Sequence, residues 1–264
     1  MSNQCRVLKE ITMLNKELEN LLNSELKVRR FRDYAPNGLQ VQGKSEIKRI
    51  VTGVTACQAL LDVAVELKAD AVLVHHGYFW KNDEPVITGM MHKRLKTLLS
   101  HDINLYGYHL PLDAHPIMGN NALLASELGI NNLGPIDPDS LDCLIWHGEL
   151  TAPESGAALA QRIAHRLGRE PLHCGDNAPA EIRRIAWCTG GGQDYIKEAA
   201  ERGFDAFITG EVSERTIHIA REMGIHFYSA GHHATERYGI KALGEWLAQE
   251  HQFDVSFIDI DNPV

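Results

Sequence analysis

The sequence has 264 residues, 35 acidic against 26 basic side chains for a formal charge of -9, and 14 histidines, more than its prolines or any aromatic type. A composition of 44% hydrophobic and 23% charged residues excludes disordered, collagen-like and coiled-coil classes for most of the chain, and this length leaves room for one large or two small domains. The acidic balance argues against a broad nucleic-acid footprint, and no run approaches the roughly 18 apolar residues of a membrane helix.

The beginning of the chain has no apolar signal-peptide core. Cys5, Cys57, Cys143, Cys174 and Cys188 are dispersed and contain no Cys-x-x-Cys. A reduced cytoplasmic protein without disulfides or a thiolate zinc site is expected.

In chain order, Val7, Leu8, Ile11, Leu14, Leu18, Leu21 and Leu22 share one face and predict an amphipathic helix over 7–26. A turn-rich stretch over 33–40 follows. Strands are predicted at 50–55, 71–75 and 103–108, with helices at 56–67, 92–99 and 120–128 and a long loop over 77–89. Residues 131–142 are polar, carry two prolines and are the expected linker between a first half (1–130) and a second (143–264). The second half repeats the alternation: strands at 185–188, 206–209 and 226–229, with helices at 193–202, 214–223 and 234–249. Strands alternating with helices of this length imply crossover connections and largely parallel sheet.

An internal duplication underlies the pattern. Residues 49–76 align without a gap to 184–211 at a constant offset of 135, and seven of the 28 pairs are identical, Arg49/Arg184, Gln58/Gln193 and Asp70/Asp205 among them. Ile103-Asn104-Leu105-Tyr106 resembles Ile225-His226-Phe227-Tyr228. After these strands come His109-x-x-x-Asp113 and His232-x-x-x-Glu236, the same His-x-x-x-carboxylate spacing. The expected fold class is therefore α/β, with two similar halves related by a pseudo-two-fold axis, mixed but largely parallel sheets and a metal site in the cleft between them. The C-terminal elements have the option of packing back on the first half.

Four polar clusters fall at predicted strand ends, where open α/β sheets bind ligands: His75-His76, His109/Asp113, Gly190-Gly191-Gly192 and His232/Glu236. Imidazoles and carboxylates together suit Zn, Fe, Mn, Ni or Co better than Ca or Mg. Five or six ligands exceed the need of one tetrahedral ion, so two divalent ions with a bridging carboxylate account for them better. Each element has a plainer reading: adjacent histidines as hydrogen-bonded rim residues, one His-x-x-x-Glu as a surface pair. The repeated spacing lifts the combination, while His115 and His233 stand close enough to replace a neighbour. Pro111 argues for a turn rather than a helix between His109 and Asp113.

The triple glycine reads either as an anion cradle or as a tight strand-to-helix turn. It matches no nucleotide fingerprint. Glu211 occupies the repeat position of His76 and reads as a surface carboxylate, with a hydrogen-bonding role to a ligand as the alternative. His165, His173 and His251 read as surface histidines. No motif supports covalent catalysis.

His75-His76-Gly77, His109-x-x-x-Asp113 and Gly231-His232-His233-Ala234-Thr235-Glu236, with Asp33-Tyr34-Ala35-Pro36-Asn37-Gly38-Leu39-Gln40 and Ile208-Thr209-Gly210-Glu211, resemble the YbgI family. Its members are also called NGG-interacting-factor-like proteins and GTP cyclohydrolase I type 2 homologues. The resemblance runs over nearly the whole chain and implies two similar α/β domains around a dinuclear metal centre, in a ring-shaped homohexamer built as a trimer of dimers. Carried over by residue, it implies His75, His76, Asp113, His232 and Glu236 as metal ligands, with Glu236 bridging, and His109 beside them or at the substrate. Leu110-Pro111-Leu112 departs from the small polar pair that the family often has there.

Three functional readings follow. The favoured one is a hydrolase that activates water with two divalent metal ions and acts on a nucleotide or related heterocycle, with His109 moving protons. Its rival is a non-catalytic metal-binding protein, a metallochaperone or assembly platform. The third is a DNA-damage role with the ring acting on nucleic acid, which family links to radiation resistance suggest and the -9 charge disfavours.

Overall fold

The computed structural model describes residues 12–140 and 142–264. The chain enters through β1 (Met13–Leu14) and α1 (Asn15–Glu25), then β2 (Gly38–Val41), β3 (Glu46–Ile47) and β4 (Arg49–Thr55). Next come α2 (Gln58–Glu66), β5 (Ala71–His76), α3 (Gly89–Ser100), β6 (Asn104–Gly107), the four-residue α4 (Leu110–Asp113) and α5 (Asn120–Leu128). The second half runs β7 (Asn131–Pro135), β8 (Trp146–Glu154), α6 (Gly156–Leu167), β9 (Leu172–Cys174), β10 (Ile182–Cys188) and α7 (Ile196–Glu201). It ends β11 (Ala206–Thr209), α8 (Glu214–Met223), β12 (His226–Ser229), α9 (His232–His251) and β13 (Asp254–Phe257).

Two mixed sheets carry the fold, in the orders β13-β4-β5-β6-β2 and β7-β8-β10-β11-β12-β9, beside a small β1-β3 ribbon. The central strands of each are parallel, β4-β5-β6 in one and β10-β11-β12 in the other. Antiparallel β2 flanks the first trio, and antiparallel β8 and β9 flank the second. The duplication holds at the level of register. Ile50 faces Ala71 as Ile185 faces Ala206, and Val51 faces Val72 as Ala186 faces Phe207, the same offset of 135.

The matched aspartates explain part of that identity. Asp70 Oδ2 accepts from the backbone N–H of Lys48 and Arg49, both at 2.8 Å. Asp205 Oδ2 accepts from Arg183 and Arg184 at 2.9 and 2.8 Å. Each carboxylate thus ties the start of one strand to the turn that begins the next.

Helix α9 joins the halves. It follows β12 of the six-stranded sheet, yet packs against β4, β5, β13 and α5. Its Ile240, Leu243 and Leu247 are fully buried in the core that holds Ile50, Leu73 and Tyr106, while Ala234 belongs to the core of the second sheet. Three such buried aliphatic side chains contribute about 1.5–3 kcal/mol each, which fixes the first turn of α9 over the ends of both sheets. None of the described helices is long and apolar enough to cross a membrane.

The structure departs from expectation in places. Of the predicted helix over 7–26, Val7, Leu8 and Ile11 lie outside the described residues, and the observed helix begins at Asn15. The expected linker opens with strand β7, a bulged edge strand in which Pro135 is tolerated because an edge leaves N–H groups unused. Helix 193–202 is a 3-10 turn over Gln193–Tyr195 followed by α7.

Candidate metal centre

Six side chains converge where the parallel strands end. β5 delivers His75 and His76, the turn after β6 delivers His109 and, through α4, Asp113, and the first turn of α9 delivers His232 and Glu236. Pro111 does not prevent a helix here. It occupies the first turn of α4, where no intrahelical N–H partner is required, so the expected turn is one short helix. The two His-x-x-x-carboxylate pairs are also not superposable: His109 is the N-cap of its helix, whereas His232 is the first residue of its own, after Gly231.

Each imidazole is held through Nδ1, which leaves Nε2 to offer. His75 Nδ1 meets the Tyr108 carbonyl at 2.9 Å, and His76 Nδ1 meets Thr55 Oγ1 at 3.2 Å. His109 Nδ1 meets Asp33 Oδ1, and His232 Nδ1 meets Glu211 Oε1, both at 2.7 Å. Fixing one ring nitrogen on a carboxylate or carbonyl is how metal-binding histidines are oriented. Asp113 is held in the same manner: Asn120 Nδ2 donates to its Oδ1 at 2.8 Å and Thr189 Oγ1 at 3.3 Å. Asn120 Oδ1 in turn accepts from Gly239 N in α9 at 2.8 Å, so one fully buried amide couples Asp113 to the helix bearing Glu236.

Glu236 is the centre of the cluster, 2% exposed. His232, His76 and His75 place Nε2 at 2.9, 3.1 and 3.5 Å from its Oε2, and His75 Nε2 is 3.4 Å from Asp113 Oδ1. Even so, His75 Nε2 and Glu236 Oε2 are buried with no hydrogen-bond partner. Buried polar atoms are almost always paired, so donor atoms that converge without hydrogen-bond geometry suit a cation between them. Three donor groups form within 4.8 Å: His76/His232/Glu236, His75/Asp113/Glu236 and His75/His76/His109. Glu236 belongs to the first two. This nitrogen and carboxylate set suits divalent transition metals.

The electrostatics agree with that reading. Burial pulls the His75 pKa down, but the charges of Asp113 and Glu236 outweigh it and push it up to about 9. For His232, burial is likewise overcome by Glu236 and Glu211, giving about 9. His76 is lowered to about 4 by burial and by the neighbouring His75 charge. Burial raises Asp113, whereas for Glu236 it is overcome by His75 and His76, which hold the carboxyl well below its usual range. Without a cation the cluster must retain protons at pH 7, and a metal ion would displace them.

A cavity of about 500 Å³ opens onto the cluster, walled by Tyr34, Trp80, Leu144, Thr189 and Tyr195. The Trp80 ring stands edge-on to His109 at 4.9 Å. The triple glycine does not cradle an anion there with its outer members. Gly190 N–H donates to Thr235 Oγ1 and Gly192 N–H to Thr209 Oγ1, both at 3.0 Å. What the turn requires is close approach: Gly190 has φ +63°, and a Cβ on it would overlap Glu236 Oε1.

Glu211 fits both readings, since its side chain is 40% exposed and it also orients His232; its repeat position opposite His76 is the signal that points to the second role. His115 and His233 stand apart from the cluster. His115 Nδ1 accepts from the backbone N–H of Ile117 and Met118, and His233 pairs with Asp259 at 2.7 Å. Asn120, Asn121 and Thr55 carry no sequence signal of a role, and Asp33 is visible only as part of the family resemblance. Gly190→Ala should displace Glu236 and lower the metal retained per chain in elemental analysis, at a stability cost of about 1–3 kcal/mol for the left-handed backbone. Full metal retention in that variant would remove Glu236 from the ligand set.

The family model described as Duf34/NIF3 (NGG1p interacting factor 3) matches residues 13–263. A Yersinia pestis protein named GTP cyclohydrolase 1 type 2 homolog is 67% identical over 251 residues, covering 95% of this chain and 100% of that one. Among solved structures, protein ybgI, described as of unknown function, aligns with TM-score 0.92 at 63% identity over 96% of this chain and 100% of its own. TTHA1606 from Thermus thermophilus aligns at 0.86 and 32% identity over the same shares, 96% and 100%. A family match over nearly the full length, with whole-chain relatives well above 30% identity, places the fold and the sequence together: this chain belongs to the Duf34/NIF3 family.

Proposed function

We propose that the protein is a metal-dependent hydrolase whose cleft holds two divalent ions between His75, His76, Asp113, His232 and Glu236, with Glu236 shared, and that it acts on a nucleotide or related heterocycle. The observation that carries this reading is the pair of buried atoms without partners, His75 Nε2 and Glu236 Oε2, inside the overlapping donor groups that share Glu236. Bound divalent ions would supply Lewis acidity and lower the pKa of water toward 7.

The chain's own residues supply the rest. Burial works to raise the Asp33 pKa, but bonding to His109 and Asn37 brings it down to about 2, so Asp33 is a carboxylate at any working pH. It fixes the His109 tautomer with the proton on Nδ1. That leaves Nε2 as a base at the cavity, able to take a proton and return it to a leaving group. Trp80 and the 63%-exposed Tyr34 offer flat apolar faces on which a heterocycle stacks. The cyclohydrolase-homologue name carried by the relatives supports the same substrate class.

Metal-loaded protein should turn over GTP or another nucleotide. His109→Gln should lower kcat by about 10²–10⁴-fold with metal content intact, while Asp113→Ala and Glu236→Ala should abolish turnover and lose metal. Undiminished turnover in both metal-free variants would overturn the mechanism. Metal transfer to an apo-acceptor, without turnover of any nucleotide, would establish the non-catalytic alternative instead.

The homohexameric ring belongs to this proposal as its assembly state. The exposed apolar side chains Val86, Ile87, Met90 and Leu99 on and before α3 support self-association. Light scattering should give about six times the 29.4 kDa chain mass, and a stable monomer would remove the ring.

A further inference from the structure

Behind α4, on the side away from the metal cluster, lies a second cavity of about 150 Å³ between the end of α1 and the segment that leads into β8. Its walls are apolar, with Leu26, Phe31, Pro111, Pro135 and the Trp146 ring, and Lys27 and Arg30 stand at its rim. Trp146 is 4% exposed, and its indole Nε1–H is buried with no hydrogen-bond partner. A buried N–H of this kind costs free energy unless something accepts from it. Among the described residues neither Lys27 nor Arg30 is in an ion pair, and both are exposed.

We propose that this cavity is a binding site for a small cyclic carboxylate, distinct from the metal centre. A cavity of about 150 Å³ is the size that accepts one six-membered ring. The apolar walls, the Trp146 ring among them, take the ring of the ligand, and the two unpaired cations take the charge. A ligand seated there rests on Pro111 and Ala114, the residues that flank Leu112 and Asp113 in α4. The site therefore reports to the metal ligand through one short helix. Nothing in this assignment depends on the hydrolase reading.

Benzoate is the probe, with benzamide as its neutral counterpart. Full-length metal-loaded protein labelled with 5-fluorotryptophan gives one fluorine resonance for each of Trp80, Trp146, Trp187 and Trp246. Benzoate should shift the Trp146 resonance saturably, in the roughly millimolar range expected for a ligand of this size. Benzamide and the Lys27→Ala/Arg30→Ala variant should each weaken that shift by about tenfold or more, the loss of a charge-assisted contact. Both substitutions are at the surface, so folding is preserved.

Three outcomes would overturn the proposal. One is no saturable Trp146 shift, and another is equal shifts by benzoate and benzamide that survive the double variant. The third is a benzoate response confined to Trp80, which lies at the metal cavity and would mark binding there instead.

Discussion

The arrangement of this molecule turns on a carboxylate that water hardly reaches. Removing one ionised carboxylate from solvent costs several kcal/mol unless the charge is met, and Glu236, 2% exposed, is met by three imidazoles from two separate parts of the chain. Asp113 adds a second buried charge beside His75. Two buried anions and three converging nitrogens are stable together only with protons or cations between them. That requirement makes the centre a candidate metal site, with donor groups that could hold a cation between the two halves.

Everything that positions Glu236 follows from α9. The helix begins in the second half and buries its middle in the first, so the two sheets present their strand ends to a common first turn. Gly190 is left without a side chain where the neighbouring turn passes Glu236, and Asn120 spans from α9 to Asp113. The outer contacts are as specific as the donors. Tyr108, Thr55, Glu211 and Asp33 each engage one ring nitrogen, so four imidazoles turn Nε2 inward, three of them with Nδ1 facing an oxygen that can only accept.

The sequence makes the duplication, the parallel strands and the six convergent residues legible, because continuous apolar runs buried on both faces and a constant offset survive divergence. The Ile50/Ala71 and Ile185/Ala206 pairings carry that offset into register. What stays hidden depends on long-range contact. β2 sits inside a turn-rich motif, whereas α6 is legible and lies outside the expected elements: Leu159, Ile163 and Leu167 are buried at helical spacing between the Ser155 cap and Gly168. Asn120 and Asn121 look like any helix N-terminus until the fold brings them under Asp113. The matched His-x-x-x-carboxylate spacing points to the right residues through an imperfect equivalence, since the two histidines occupy different helix positions.

A divalent ion entering this cluster must displace its protons. Calorimetric titration of metal-free protein with Zn²⁺ or Mn²⁺ at pH 7, in two buffers of different ionisation enthalpy, tests it directly. His75 and His232 are raised to about 9 in the metal-free cluster, so both are protonated at pH 7 and must deprotonate to bind. The expected result is about two ions per chain, protons released on binding, and affinity that rises with pH toward 9. Binding with no proton release, or undiminished uptake by Glu236→Ala, would contradict that exchange.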